Sequence, residues 1–225
     1  MRQRENRLYS DGQVKLLPEI ERSHPHHQEW QIRSYSCRKL VTWLANKKRK
    51  LDILEVGCGN GWLCSQLSKI TTSKIKGIDI NQTELAQAKR VFGHIQNLEF
   101  LHAEIVDQNI RNQKFDAIIF AASIQYFPSL NEILPIALEL LSPQGEIHIF
   151  DSHFYKPSEM NTARERSADY YRSIQFSEMS KYYFHHCIDE LKSYRHKILY
   201  NPGSIVHRIT KNKNPFPWIC IYRNA

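Results

Sequence analysis

The segment 51–62, with the sequence LDILEVGCGNGW, constrains the fold of this chain more than any other. Its first half alternates apolar residues and includes β-branched ones, which is typical of a buried strand. Three glycines at every second position follow, and then an apolar-periodic stretch from Trp62 to Ile70 predicts a helix. Glycines in a strand-to-helix turn permit positive φ and let a ligand approach the backbone, where the amides of the helix start face it. The sequence therefore predicts a nucleotide-type pocket in an α/β sheet.

The spacing of the glycines indicates which kind of nucleotide ligand the pocket would bind. The dinucleotide fingerprint is G-x-G-x-x-G, whose helix start receives a pyrophosphate. Here Gly57, Gly59 and Gly61 follow the order G-x-G-x-G, so the third glycine comes one residue early. Glu55 stands two residues before the first glycine, where its charge would repel a pyrophosphate. A carboxylate at this place favours a ligand with a cationic end.

The stretch from Glu55 to Gly61 resembles motif I of the class I S-adenosylmethionine-dependent methyltransferases, E/D-x-G-x-G-x-G. In that family the loop wraps the methionine half of the cofactor. The resemblance thus implies that S-adenosylmethionine is the cofactor and that Cys58 and Asn60 contact it together with the glycines. A flexible turn is the alternative interpretation of a glycine triplet taken alone.

The end of the predicted second strand extends the resemblance. Residues 74–80 predict a short strand that ends in Asp79, about 20 residues beyond the glycines. Doubly wound folds place a carboxylate on the ribose hydroxyls at this distance. The family has its ribose acid at the same place, which implies that role for Asp79 and an apolar contact of Ile80 with adenine.

The third predicted strand, 98–103, is followed by Glu104 and Ile105. In the family an acid at this place accepts a hydrogen bond from the adenine amino group, and Ile105 follows it in the same loop. Aspartate is the commoner residue there, so Glu104 is a mild departure from the pattern.

Two more strands match the later motifs of the family. Residues 114–121 resemble motif IV, which implies that Ala121 lies at the cofactor. Residues 145–151 predict a fifth strand after the turn 140–145, which resembles the family's L-x-P-G-G turn with one glycine replaced. The resemblance is clear from residue 51 to 151 and looser beyond.

The alternation of strands and helices predicts the fold class. We expect an α/β, Rossmann-like sheet of seven mainly parallel strands with helices on both faces. The last two strands are expected at 194–200 and 216–222, and the resembled fold makes the seventh antiparallel. Residues 1–50 are predicted to form an N-terminal helical cap on a methyltransferase domain, 51–225, within one structural domain. An aromatic-rich insertion at about 152–193 is predicted to cap the site, and a pair of amphipathic helices packed on the sheet edge is the alternative.

Composition agrees with one soluble domain. The 225 residues suffice for a full α/β core, and no apolar run approaches the roughly 20 residues of a membrane helix. The N-terminus lacks the apolar core of a signal peptide, and five cysteines without C-x-x-C spacing fit neither a disulfide framework nor a zinc site. A cytoplasmic protein with reduced thiols is expected. No metal is assigned, because the histidines at 24, 26 and 27 have no acid or thiol placed by spacing to complete a site.

Methyl transfer needs a base only when the nucleophile must lose a proton, since positioning and desolvation supply much of the rate. Candidates lie after the fourth and fifth strands, where ligands bind in such sheets. They are Tyr126, Asp151 and His153, and Tyr126 is also a candidate for contact with the acceptor. For each of them a structural role is the alternative.

Charge is unevenly spread along the chain. Residues 191–225 hold seven Lys and Arg and no acid, whereas residues 51–190 are acidic overall. The loop between the last two strands carries Arg208, Lys211 and Lys213, and the resembled topology puts it on the ligand face. These residues are predicted to hold an anionic acceptor, and a solubilising surface loop is the alternative.

Three function classes follow from these features. The first is a methyltransferase of a small molecule, because a capping insertion is predicted and no recognition domain is appended. The second is a methyltransferase of RNA, DNA or protein, which the basic flanks favour. Residues 121–124, AASI, replace the N/D-P-P-Y/F motif of enzymes that methylate base amino groups, so those targets are not expected. The third is a protein that binds the cofactor without turnover.

Overall fold

A computed structural model describes residues 2–204 and 214–223 of the chain. The strands are β1 (Asp52–Val56), β2 (Lys74–Asp79), β3 (Leu98–His102), β4 (Phe115–Ala121), β5 (Leu141–Phe150), β6 (Phe154–Tyr155), β7 (His186–Cys187), β8 (His196–Tyr200) and β9 (Trp218–Tyr222). The α-helices are α1 (Asp11–Leu16), α2 (His27–Ala45), α3 (Trp62–Leu67), α4 (Gln82–Phe92), α5 (Gln108–Arg111), α6 (Leu130–Glu139) and α7 (Met160–Ser173). Short 3-10 turns at 124–126, 157–159, 177–182 and 188–193 complete the described elements.

Seven of these strands form one sheet in the order β3-β2-β1-β4-β5-β9-β8. The pairs among β1 to β5 are parallel, whereas β9 runs antiparallel to both of its neighbours, β5 and β8. The prediction of a Rossmann-like, mainly parallel sheet with an antiparallel seventh strand is confirmed. The strand order reverses between β1 and β4, and ligands of such sheets bind beyond the carboxyl ends at this point.

Helices cover both faces of the sheet, because neighbouring residues of each central strand point to opposite sides. On β1, Ile53 belongs to a buried cluster with residues of α2, α3 and α4, and Leu54 belongs to a second cluster with residues of α5 and α6. Both side chains are fully buried. This two-sided burial explains why the central strands consist of nearly continuous apolar runs.

The start of β5 differs from its prediction as a turn followed by a strand. Leu141 already pairs with Phe115, and the next pair is Glu146 with Ala117, so residues 142–145 bulge from the ladder. A Cβ on Gly145 would lie 2.8 Å from the carbonyl oxygen of Phe115, which shows how closely the bulge packs. The segment that resembles the family's turn is therefore a bulge within β5.

Two segments outside the sheet meet over its carboxyl edge. Residues 2–9 precede α1, and residues 152–193 contain α7 and the short β6–β7 pair. Arg4 donates to the carbonyl oxygen of Ile174 at 2.9 Å, and the Tyr170 hydroxyl donates to Glu5 at 2.6 Å. In the described part of the chain, none of the helices combines the length and apolarity needed to cross a membrane.

Candidate active site

A large cavity of about 1920 Å³ opens at the carboxyl ends of β1, β2, β3 and β4. Most residues predicted at the cofactor line it: Glu55, Gly57, Cys58, Gly59, Asn60, Asp79, Ile80, Glu104, Ile105 and Ala121. Small-molecule sites usually measure about 300–1000 Å³. The cavity therefore has room for a second molecule beside a nucleotide-type cofactor.

Gly59 and Gly61 have different roles although the sequence motif treats them alike. Both have positive φ, 54° and 77°. A Cβ on Gly59 would lie 2.5 Å from Oε2 of Glu84, which also lines the cavity. A Cβ on Gly61 would lie 2.5 Å from the ring of Phe100, and Gly61 is not part of the cavity lining. Gly61, which the resemblance places at the cofactor, is thus required by packing at the start of α3.

The backbone amides of the glycine loop are bonded within the protein. Gly57 and Cys58 both donate to the carbonyl oxygen of Ile78, at 2.8 and 3.0 Å. Gly59 donates to Oδ2 of Asp79 at 2.7 Å. These three amides precede α3, and each already has an acceptor within the protein. The loop supplies a close-fitting surface rather than a set of anion donors.

Three carboxylates line the same half of the cavity. Glu55 is 3% exposed and accepts a hydrogen bond from Sγ of Cys64 at 2.8 Å. Burial, to which the charge of Asp79 adds, raises the pKa of Glu55 to about 8. Glu84 pairs with Arg2 at 2.8 Å, and burial raises its pKa. With these three amides bonded and the carboxylates of Asp79 and Glu84 in the lining, this half of the cavity favours cations and hydroxyls over a pyrophosphate.

An apolar slot lies beside Asp79. Ile80 is 68% exposed, although it lines the cavity, and Ile105 is buried. The backbone amide of Glu104 donates to Asp107, so the loop after β3 is held while the side chain of Glu104 stays exposed. An exposed isoleucine at a concave site offers apolar contact area to a flat ligand.

A cluster of charges that the sequence analysis missed forms another part of the wall. Arg7 donates to both carboxylate oxygens of Glu29, at 2.9 and 2.7 Å, and Arg33 donates to the same carboxylate at 3.0 Å. Although burial acts to raise it, the two guanidinium groups lower the pKa of Glu29 to about 2. Two cations share one anion, so the cluster keeps one net positive charge at the cavity wall.

The three predicted base candidates are placed differently. Tyr126 lines the cavity, is 48% exposed and contacts Tyr183 edge to face at 6.1 Å. Asp151 is buried outside the cavity lining and accepts a hydrogen bond from Ser36 at 2.7 Å. His153 is not part of the lining either, and burial lowers its pKa. The structure therefore brings Tyr126 to the cavity and leaves the other two outside it. Arg208, Lys211 and Lys213 lie outside the described residues.

One buried group of potential metal ligands occurs in the described residues. Glu146, His148 and Cys220 each offer one ligand atom, and these three atoms lie within 4.8 Å of one another. Both ring nitrogens of His148 are already engaged, with Glu146 at 3.1 Å and with the indole of Trp218 at 3.1 Å. Glu146 also pairs with Lys47 at 2.9 Å. These bonds satisfy the polar groups, and we assign them to the packing of α2 against β5 and β9.

Residues 47–211 match a family model described as a methyltransferase domain, and the chain belongs to that family. Together with the sheet topology, this confirms the expected class, the class I S-adenosylmethionine-dependent methyltransferases.

Two relatives are malonyl-[acyl-carrier protein] O-methyltransferases. The protein of Ilyobacter polytropus is 29% identical over 118 residues, 52% of this chain and 44% of that one. The protein of Acetivibrio thermocellus is 33% identical over 101 residues, 44% of this chain and 35% of that one. The chain spans less than half the length of these curated relatives.

Solved structures share the fold at low sequence identity. The YcgJ protein of Bacillus subtilis has a TM-score of 0.61 at 12% identity, with 82% of this chain and 98% of that chain covered. The plantazolicin methyltransferase BpumL, solved in complex with SAH, has a TM-score of 0.60 at 16% identity, with 94% and 95% covered. The fold described above is therefore found in a methyltransferase over nearly its whole length.

Proposed function

We propose that this protein transfers a methyl group from S-adenosylmethionine to a small-molecule acceptor bound in the same cavity. The observation that carries the proposal is the charge of the cofactor half. Glu55, Asp79 and Glu84 line it, and the amides of Gly57, Cys58 and Gly59 are already bonded within the protein. A dinucleotide would bring two phosphates to these acids, whereas the sulfonium and ammonium groups of S-adenosylmethionine match them in charge.

The residues present fit each part of this cofactor. The methionine end carries an ammonium group, which suits the buried carboxylate of Glu55, and a carboxylate, which suits the positive charge that Arg33 brings to the wall. Asp79 suits the ribose hydroxyls, and the exposed face of Ile80 together with Ile105 suits adenine. Bound there, the cofactor supplies an electrophilic methyl group on sulfur.

A small acceptor is favoured by what covers the cavity. Residues 2–9 and α7 meet above it through the bonds of Arg4 with Ile174 and of Glu5 with Tyr170. A base or side chain within a macromolecule would have to pass between these segments. The names of the relatives also favour O-methylation of small groups, since they include methyltransferases of malonyl-[acyl-carrier protein] and of ubiquinone biosynthesis.

Tyr126 is the candidate residue closest to this chemistry, since it is the predicted base that lines the cavity. Burial within the concave wall raises the pKa of its hydroxyl, so the group stays protonated at neutral pH. A neutral hydroxyl can orient an acceptor oxygen by donating to it. We assign Tyr126 to holding the acceptor, with in-line positioning and exclusion of water as the source of rate.

Product analysis tests the proposal. Purified protein is incubated with S-adenosylmethionine and either a panel of small carboxylic acids, phenols and amines or bulk RNA and protein, and the release of S-adenosylhomocysteine is measured. The proposal predicts release with one class of small acceptor. Release with RNA or protein alone would overturn the small-molecule assignment, and failure to bind the cofactor would overturn the whole proposal.

A further inference from the structure

The half of the cavity away from the glycine loop has a wall of tyrosines. The lining residues of this type are Tyr126, Tyr170, Tyr171, Tyr182 and Tyr183. Their rings contact one another at large angles: Tyr183 meets Tyr126 at 6.1 Å and 90°, and Tyr171 at 5.9 Å and 62°. Aromatic pairs of this kind form at centroid distances of about 4.5–7 Å, so an added ring can pack against the same wall.

The hydroxyls of Tyr171 and Tyr183 are uncharged at physiological pH. Burial raises the pKa of Tyr183 to about 12, and burial also raises the pKa of Tyr171. Tyr171 and Tyr183 therefore present apolar rings and neutral hydroxyls, and the acid at this wall is Glu5, which accepts from Tyr170 at 2.6 Å.

One cation beside this wall has no acid to neutralise it. Four of the arginines that line the cavity pair with carboxylates: Arg2 with Glu84, Arg7 and Arg33 with Glu29, and Arg90 with Asp11. Arg166 also lines the cavity, and no carboxylate within the described ranges, 2–204 and 214–223, pairs with it. Its guanidinium lies 6.0 Å from the ring centroid of Tyr155 and donates to that hydroxyl at 3.3 Å.

Ring contacts connect Arg166 with the tyrosine wall. Tyr155 contacts His185 at 5.5 Å, and His185 contacts Tyr183 at 5.3 Å. An unneutralised guanidinium thus stands at the end of a continuous aromatic surface. A guanidinium binds carboxylates through two parallel hydrogen bonds, which a single exposed arginine beside an aromatic face offers to an acidic ligand.

We propose that the acceptor half of the cavity binds an aromatic acid, with its ring against Tyr126, Tyr171 and Tyr183 and its carboxylate on Arg166. The inference rests on the proposed function and names the class of its acceptor. It assigns an anion-binding role to an arginine of α7, whereas the prediction for Arg208, Lys211 and Lys213 concerns residues outside the described ranges. The aromatic ring provides most of the contact area, and the carboxylate fixes the orientation of the ring in the cavity.

The test uses protein saturated with S-adenosylhomocysteine and three probes of similar size. These are para-hydroxybenzoate, its uncharged amide para-hydroxybenzamide, and cyclohexanecarboxylate, which keeps the acid but lacks the aromatic ring. Binding is measured by calorimetry and by saturation-transfer NMR. The aromatic acid should bind at least about tenfold more tightly than either comparison probe, since each of these lacks one of the two contacts.

Two variants on the same helix separate the specific contact from general charge. Arg166→Gln should weaken binding of para-hydroxybenzoate about tenfold and leave the amide unaffected. Arg172→Gln is the matched control, because Arg172 is exposed, pairs with Asp169 and lies outside the cavity. It should bind the acid as the parent does. Tyr183→Leu should reduce the preference for the aromatic acid over cyclohexanecarboxylate.

The outcomes separate this inference from the proposed function. If S-adenosylhomocysteine binds but the three probes bind alike, or if Arg166→Gln and Arg172→Gln behave alike, the inference is overturned and the methyltransferase assignment stands. If S-adenosylhomocysteine does not bind, the proposed function fails, and the inference fails with it.

Discussion

The backbone amide of Gly59 donates a 2.7 Å hydrogen bond to Oδ2 of Asp79, which joins the loop after β1 to the end of β2. The other oxygen of Asp79 accepts from the amide of Asn81 at 2.8 Å. A carboxylate oxygen has more than one acceptor site, so each oxygen can still accept from a ribose hydroxyl. Asp79 therefore shapes the glycine loop, and in the proposed function it also binds the ribose of the cofactor.

Replacing Gly59 by alanine should mainly weaken ligand binding, whereas replacing Gly61 by alanine should mainly lower stability. Gly61→Ala forces a Cβ into the Phe100 ring at positive φ, so it should lower Tm by about 5–10 °C. A Cβ in Gly59→Ala meets the carboxylate end of the Glu84 side chain in the cavity and not a packed ring, so it should cost less stability and weaken binding of S-adenosylhomocysteine about tenfold or more. Thermal denaturation and calorimetry measure the two effects. Loss of affinity in Gly61→Ala with an unchanged Tm would show that the assigned roles are wrong.

Binding of the cofactor should release a proton from Glu55. Burial holds the pKa of Glu55 near 8 in the free protein, so the group is mostly protonated at pH 7. A cationic ligand favours the ionised form, so affinity should rise with pH between about 6 and 8, and most of one proton should leave at pH 7. Calorimetry in two buffers of different ionisation enthalpy measures this release.

Two variants check the source of that proton. Glu55→Gln should bind more weakly and release no proton. Glu99→Gln is the control, since Glu99 is exposed and lies outside the cavity. Glu99→Gln should release as many protons on binding as the parent protein does. Equal proton release in the parent and in Glu55→Gln would exclude Glu55 as the source.

Asp151→Asn should stabilise the protein at pH 7.5. Burial raises the pKa of Asp151 to about 6, and Oδ2 has no hydrogen-bond partner in the part of the chain that the structure describes, so the ionised form is disfavoured in the fold. The folded state therefore binds this proton more tightly than the unfolded state, and stability falls as pH rises from about 4 to about 6. Asn also tolerates the positive φ of 54° at this position.

Thermal denaturation at two pH values tests this. The Tm of Asp151→Asn should exceed that of the parent protein by a few degrees at pH 7.5. At pH 4 the two Tm values should be equal, because the carboxyl of Asp151 is neutral in the parent as well. The exposed Asp169→Asn serves as the control and should change Tm little. A lower Tm of Asp151→Asn at pH 7.5 would mean that the charge at this site stabilises the protein.

Glu146→Ala should destabilise the protein by about 3 kcal/mol, because it removes a buried acid with several partners. Glu146 accepts from the indole of Trp43 at 2.6 Å and from Lys47 at 2.9 Å. Burial opposes ionisation of Glu146, yet hydrogen bonds and cationic partners lower its pKa to about 2. The contribution of Glu146 to the free energy of unfolding is therefore present above the unfolded pKa and lost as pH falls toward 2. Urea unfolding at pH 7 measures the difference. The exposed Glu165→Ala should be neutral, and equal stability of both variants would contradict the assigned packing role.

The cofactor half could be predicted because its signals are local. A strand, the glycine loop and Asp79 lie within about 30 residues, and their spacing follows directly from β-α-β geometry. The same motif could not distinguish Gly61 from Gly59, because the ring of Phe100 that requires Gly61 lies on another strand.

The rest of the cavity wall could not be predicted in the same way. Glu29 and Arg33 have the i, i+4 spacing of an ordinary exposed helix pair, and only the folded chain brings Arg7 to them. Asp151 follows a parallel strand as a site residue would, but its positive φ and the bond from Ser36 hold it outside the cavity lining. Arg166 lies in a helix without a motif, and its lack of an acid partner among the described residues is visible only in three dimensions.

Calorimetric titration with S-adenosylhomocysteine tests the central claim most directly. The parent protein should bind it and should show no comparable affinity for NAD. Asp79→Ala removes the acceptor of both ribose hydroxyls and of the Gly59 amide, so its affinity should fall about tenfold to a hundredfold. Unchanged affinity in Asp79→Ala, or preferential binding of NAD by the parent, would contradict the account.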